Sequence, residues 1–212
     1  MRNKKEKIIL LGGGGHSKVL IELIRLDNKY RIAGILDPNL RIGDNIADIP
    51  VIGGDDLLPA LYGKGVRNAC IAVGSVKDNS ARNSLYKTAK SAGFIVPPLI
   101  HPRAVVSGMS EISEGVQVMA NAVVQPGCFI GENTIINTGA VLEHDCRVGE
   151  HAHISSGSVV SGGCHIGEGS FIGSGSAVIQ GIHIGKNAVV AAGAAVVNNV
   201  PDNALVKGVP AK

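Results

Sequence analysis

From Ile100 onward the chain carries Ile, Leu or Val at every sixth position through Val196, seventeen positions in succession without an insertion. Four residues beyond most of them stands a small residue, as at Ala104, Ala122, Cys128, Thr134, Ala140 and Cys146. A step of six matches neither the helical period nor simple alternation. It fits a short strand and a turn, repeated, with the aliphatic side chain pointing inward each time. Such units stack as a solenoid in which each coil covers the next. Cys128, Cys146 and Cys164 are eighteen apart, which is three steps, and so set the coil: residues eighteen apart should lie above one another. Composition agrees with a narrow core. Aromatic residues are 3% of the chain, there is no Trp, and the 29 glycines supply turns. The cysteine ladder has two readings, a thiol site (metal or disulfide) or a column of small buried residues. The phase favours the second, because all three occupy the small inward position.

On these hexads, on the glycines that follow several of them (Gly131, Gly149, Gly167, Gly173, Gly185) and on the closing "VKGVPAK" at Val206–Lys212, residues 100–212 resemble the hexapeptide-repeat acyltransferases. The resemblance implies a left-handed parallel β-helix of three hexapeptides per coil, assembled as a homotrimer with acetyl-CoA held between neighbouring prisms. The hand is implied by the resemblance alone, since parallel crossovers elsewhere are almost always right-handed.

Residues 7–96 follow another rule. "KIILLGGGGHSKVLIELIRL" reads as a buried strand, a glycine turn and an amphipathic helix. "RIAGILD" gives a second strand ending at Asp37, "NACIAVGS" another ending at Gly74, and "NSARNSLYKTAKSAG" a helix closed by Gly93. Strands alternating with helices predict a small Rossmann-like parallel sheet, an α/β domain over 1–97, followed by the β-helix over 98–212. The glycine turn lets backbone N–H groups and a helix start approach an anion, and an acid at the end of the second strand suits ribose hydroxyls. The dinucleotide fingerprint is incomplete, however: Ser17 stands where a third glycine is expected. The alternative is a tight structural turn. His16 is equally open to two readings, ligand contact or helix-start hydrogen bonding.

A small nucleotide-binding-like sheet fused to such a repeat resembles the sialic-acid O-acetyltransferase group and its UDP-4-amino-sugar N-acetyltransferases, over nearly the whole chain. The resemblance implies that Gly14, Gly15, His16, Asp37, Pro38 and Gly74 hold the nucleotide sugar.

The richest polar stretch is "GAVLEHDCRVGEHAHISSG", Gly139–Gly157. In the six-step register His144 lies two beyond the inward Leu142, at an outward corner, and His153 directly precedes the inward Ile154. A metal site would need about three converging ligands. β-helix carbonic anhydrases carry two of their ligands five residues apart, and no His pair here has that spacing, so no metal is expected. Neutral His can take a proton near pH 7, and an adjacent carboxylate can fix its tautomer and raise its basicity. The resemblance makes His144 the base and Asp145 its support, with Asp in place of the usual Glu. It puts His153 beside the acetyl group, with Asn137 and Gly162 along the pantetheine arm.

The expected function is acetyl transfer from acetyl-CoA to the amino group of a nucleotide-activated sugar, with a UDP-4-amino-4,6-dideoxy sugar as the implied acceptor. O-acetylation of sialic acid or another sugar hydroxyl is the alternative of the same class. A non-catalytic solenoid module and a metal-dependent hydratase are the alternatives of other classes. The formal charge of +3 and the absence of an Arg/Lys stripe interleaved with aromatics argue against nucleic acid. Ile8–Leu11 is too short an apolar run for a signal core, and no stretch approaches a membrane span. A cytoplasmic protein is expected.

Overall fold

The computed structural model describes residues 5–76 and 78–212. The chain divides into two compact units. One comprises the chain up to Gly74 together with Ser80–Leu99; the other comprises Ser75–Asn79 and Ile100–Lys212.

The first unit is built on β1 (Glu6–Leu11), α1 (Gly15–Asp27), β2 (Tyr30–Leu36), β3 (Asn45–Ile46), β4 (Ile49–Gly53), α2 (Leu58–Gly63), β5 (Asn68–Ile71) and α3 (Ser80–Ser91). The sheet order is β3-β4-β2-β1-β5. The pairs β1–β2, β1–β5 and β2–β4 are parallel, and β3–β4 is an antiparallel edge hairpin that the sequence pattern had not disclosed. Ile8 to Leu11 are fully buried, because helices cover both faces of a parallel sheet. Leu20, Ile21, Leu23 and Ile24 form the buried stripe of α1. The strand expected to run to Gly74 stops at Ile71. Arg82, buried on α3, donates from Nη1 to the carbonyls of Ile71 and Val73, each at 2.8 Å, so side-chain bonds take over where the ladder ends. Burial pushes Arg82 down to about 10 and its neighbour Cys70 up to about 12.

The second unit is a parallel β-helix of two-residue strands on three faces. Val105–Val106, Val123–Val124, Val141–Leu142, Val159–Val160, Ala177–Val178 and Ala195–Val196 stack into one face. Its outward side chains are all Val or Ala, and it is called the valine face below. A polar face stacks Glu111, Phe129, Arg147, His165 and His183 outward. A third face, called the cavity face, stacks Gln117, Ile135, His153, Phe171, Val189 and Leu205. Partners are offset by eighteen, as the cysteines required, until the closing coil, where Val189 pairs with Leu205, an offset of sixteen.

Of the seventeen six-step residues, Ile100, Val106 and Ile112 are half-buried and the others buried in one continuous core. From Ala122 onward the small inward positions are buried too, and many are donors. Cys128, Cys146 and Cys164 reach the carbonyls of Glu143, Ser161 and Ile179 at 3.1, 3.2 and 3.1 Å. Thr134 and Ser170 make the same contact to Gly149 and Gly185. Each contact spans fifteen residues and binds a coil to the corner of the next. The four cysteines are buried, and none is in a disulfide among the described residues. Among the described residues, no helix is long and apolar enough to cross a membrane.

Candidate active site

In the first unit, the glycine turn, the start of α1 and the ends of β2 and β5 meet at the carboxyl edge of the sheet. β1 lies between β2 and β5, the crossover point where open α/β sheets take ligands. Gly12, at φ +107, donates to the Leu36 carbonyl at 2.8 Å, and a side chain on it would strike Val73. Gly13 donates to Asp37 Oδ2 at 2.8 Å, and Asn39 N–H donates to Asp37 Oδ1 at 2.9 Å. Asp37 therefore braces the turn, while each oxygen keeps a further lone pair for a ligand. Gly14 and Gly15 border open space over the helix start. A methyl on Gly74 would stand 3.7 Å from His16 Cβ, so these two flank the crevice between β1 and β5. Pro38 packs near Gly54, beside this edge. Ser17, at the missing third glycine, is buried and donates from Oγ to the Gly14 carbonyl at 2.6 Å. The six residues expected to hold a nucleotide sugar thus share one edge of the unit.

In the second unit, His144 and Asp145 form the corner between the valine and polar faces. His144 Nδ1 lies 2.9 Å from Asp145 Oδ2, and both side chains are exposed, 57% and 70%. With the proton on Nδ1 the ring donates to the carboxylate, and Nε2 keeps its lone pair. The hydrogen bond to Asp145 raises His144 above its ordinary value; the negative charges of Asp145 and Glu143 add to this, against a smaller desolvation effect. Asp145 takes φ +60, in a column where the other coils place Gly127, Gly163 and Gly181. Asp tolerates this left-handed conformation better than most residues. Two glycines make the room: a methyl on Gly162 would stand 2.5 Å from His144 Nε2, and one on Gly127 2.3 Å from Asp145 Oδ1.

His153 is on the cavity face and is only 6% exposed. The segment Ser75–Asn79 covers it. His153 Nδ1 donates to the Ser75 carbonyl at 2.6 Å, and Asn137 Nδ2 donates to Nε2 at 3.0 Å. The amide cannot be reversed without loss, because Asn137 Oδ1 accepts the Thr138 N–H at 2.8 Å. Phe171 meets the ring edge-on at 5.4 Å. His153, Asn137 and Phe171 line a cavity of 610 Å³ that continues past Val189 and Leu205 to Lys207. Ser155 Oγ, on its wall, is buried with no hydrogen-bond partner among the described residues. The sequence pattern had singled out neither Ser75, Ser155, Phe171 nor Gly127.

The sequence-derived site residues therefore form three groups. One is the sheet edge; another is His144 and Asp145 with Gly162; the third is His153 with Asn137. Gly162, expected along a pantetheine arm, packs against the His144 ring. Among the described residues no group of three or more His, Cys, Asp or Glu could hold a metal.

Residues 7–89 match the family described as the PglD N-terminal domain. Residues 127–162 match the bacterial transferase hexapeptide (six repeats), and 163–197 the hexapeptide repeat of succinyl-transferase. No curated protein matches the chain. Among solved structures, the chain is similar to perosamine N-acetyltransferase from Caulobacter crescentus, seen as a single-histidine variant in complex with CoA and GDP-perosamine. It is 40% identical, with a TM-score of 0.91, covering 97% of this chain and 95% of that one. It is similar also to the acetyltransferase domain of PglB from Neisseria gonorrhoeae in complex with acetyl coenzyme A, 38% identical, TM-score 0.91, covering 99% of both chains. WeeI from Acinetobacter baumannii, 23% identical with a TM-score of 0.78, shares the fold.

Proposed function

The chain belongs to the left-handed β-helix, hexapeptide-repeat acyltransferases that carry a PglD-type N-terminal domain, and from that premise we propose that it moves an acetyl group from acetyl-CoA to the amino group of a nucleotide-activated sugar. The observation that carries this reading is the His144–Asp145 pair, an imidazole on an exposed corner with a carboxylate on Nδ1. The amine nitrogen attacks the thioester carbonyl carbon directly, forming the C–N bond. His144 Nε2 takes the proton that the nitrogen sheds. The tetrahedral intermediate expels the CoA thiolate as the C–S bond breaks, and the imidazolium returns the proton to sulfur. No acyl-enzyme is needed, and the cysteines of the repeat are buried in its core.

The cavity beside His153 suits the acetyl-CoA arm. Its wall is largely apolar (Val76, Phe171, Val189, Leu205), Lys207 offers a cation at one end, and Ser155 Oγ lacks only a ligand as partner. Asn137 and His153 stand at the other end, and Gly162, at the dyad corner, leaves room for the His144 ring. In the first unit, the N–H groups at Gly14 and Gly15 would take phosphate, and Asp37 the ribose, with Pro38, Gly74 and His16 around the sugar. The acceptor we carry forward is a UDP-4-amino-4,6-dideoxy sugar, with the GDP-linked amino sugar of the Caulobacter relative as its rival. The reaction belongs in the cytoplasm, where both substrates are made.

Assembly follows from where the parts lie on the β-helix. The dyad is at one edge of the valine face, and the cavity with Asn137 and Ser155 is at the other. We infer that a neighbouring copy, rather than the chain's own face, brings the two edges together. Val105 and Val159 are 64% and 41% exposed, an apolar stripe that favours burial. Three copies with valine faces toward a common axis set the dyad edge of each beside the cavity edge of the next. A homotrimer is the reading this supports.

The deciding experiment is incubation with acetyl-CoA and a panel of UDP-, GDP- and CMP-sugars, with and without an amino group, following free CoA. Turnover confined to amino sugars supports the reading. Turnover of sialic acid or other hydroxyl acceptors alone would replace it with O-acetylation, and none at all would favour a binding module.

A further inference from the structure

The corner Pro126–Gly127–Cys128 lies one coil before the dyad, and all three residues meet the segment Glu143–Asp145. The Pro126 carbonyl accepts the Asp145 N–H at 3.0 Å. The Cys128 thiol donates to the Glu143 carbonyl at 3.1 Å. Between them, the Asp145 carboxylate fills the space that a side chain on Gly127 would need: a methyl there would stand 2.3 Å from Oδ1 and 3.3 Å from Cγ.

The same column offers an internal comparison. Gly127, Gly163 and Gly181 take φ of 77, 68 and 73, so backbone conformation alone favours glycine at each. A methyl on Gly163 or Gly181 would meet nothing within 4 Å. Only at Gly127 does the missing side chain also admit a functional group. We propose that Gly127 is a positioning residue: its lack of a side chain lets the Asp145 carboxylate lie back across the coil and reach His144 Nδ1. This rests on the reading of His144 as the base. With a methyl at 127 the short Asp145 side chain must turn toward solvent, and its 2.9 Å contact with the ring opens. Asp145, Glu143 and Cys128 are the groups that act on the His144 ring electrostatically, and among the described residues only Asp145 is hydrogen-bonded to it.

The test compares Gly127→Ala with Gly181→Ala, which imposes the same backbone conformation without the collision. Three quantities are read in each: thermal stability, the titration of His144 by NMR of ¹³C-labelled histidine, and kcat with both KM values. The expectation is a similar loss of stability in both variants. Only Gly127→Ala should move the His144 titration to lower pH and lower kcat, by about 10- to 100-fold, the scale of a misplacement near 1 Å. In an Asp145→Asn background Gly127→Ala should add little. If Gly127→Ala does not fold, Gly127→Asn against Gly181→Asn repeats the comparison, since Asn holds a left-handed φ at positions 121, 133, 187 and 203. Equal titrations in the 127 and 181 variants overturn the proposal. A titration shifted only at 127, with kcat unchanged, would uphold the positioning and instead dismiss His144 as the base.

Discussion

His144 and His153 are nine residues apart on one β-helix, and the fold treats them in opposite ways. His144 stands on an exposed corner, paired with a carboxylate. His153 lies under the segment Ser75–Asn79, with a carbonyl on one nitrogen and an amide on the other. A carboxylate partner stabilises the imidazolium, and exposure lets a proton come and go. A carbonyl and an amide donor together fix one tautomer. The first arrangement suits proton transfer and the second suits a fixed wall for a ligand. Residue type alone would assign both the same chemistry.

The harshest way to break this comparison is to keep the two edges from meeting. Val159→Glu places a carboxylate on the valine face of every copy. It should dissociate the assembly, as light scattering would register, and abolish turnover. An active monomer would mean that one chain supplies both edges. Next in size, His144→Ala should lower kcat by about 10²- to 10⁴-fold, the usual contribution of a general base, with the KM for acetyl-CoA nearly unchanged. His153→Ala should act in the other parameter. Its KM for acetyl-CoA should rise by roughly tenfold, about 1.4 kcal/mol of lost contact, with a smaller effect on kcat. If the two variants behaved alike, the division between base and wall would fail. The smallest effect belongs to the core. Cys146 has its thiol pushed up by contacts with Cys128 and Cys164 and by burial. Cys146→Ala should cost about 1 kcal/mol in denaturant unfolding through the lost thiol hydrogen bond, with kcat intact, and no native cysteine of the column should label rapidly.

These residues were not equally legible in the sequence. The β-helix was, because each coil repeats one physical demand at one phase; Cys128, Cys146 and Cys164 alone set its length. His144 was legible as an outward corner, since counting from Leu142 fixes its direction. The burial of His153 was not. It depends on Ser75–Asn79, which the pattern left between a strand ending at Gly74 and a helix starting at Asn79, and which belongs instead to the repeat unit. Gly127 was hidden for a related reason. A glycine in a turn has a local explanation, and the carboxylate it accommodates lies eighteen residues later. Asp37 was found by its spacing, but its bonds to Gly13 and Asn39 were not, because they depend on how the turn folds back.

The account stands most directly on one profile: kcat/KM against pH for the wild type and Asp145→Asn with the best amino sugar. A base raised by its carboxylate is protonated and idle below its pKa, so wild-type activity should climb with pH through a limb above the ordinary His value. Asp145→Asn removes the support, so the limb should move to lower pH while the plateau falls. An ionisation belonging to the substrate amine would not move. Identical limbs in the two enzymes would contradict the claim that His144, supported by Asp145, takes the proton.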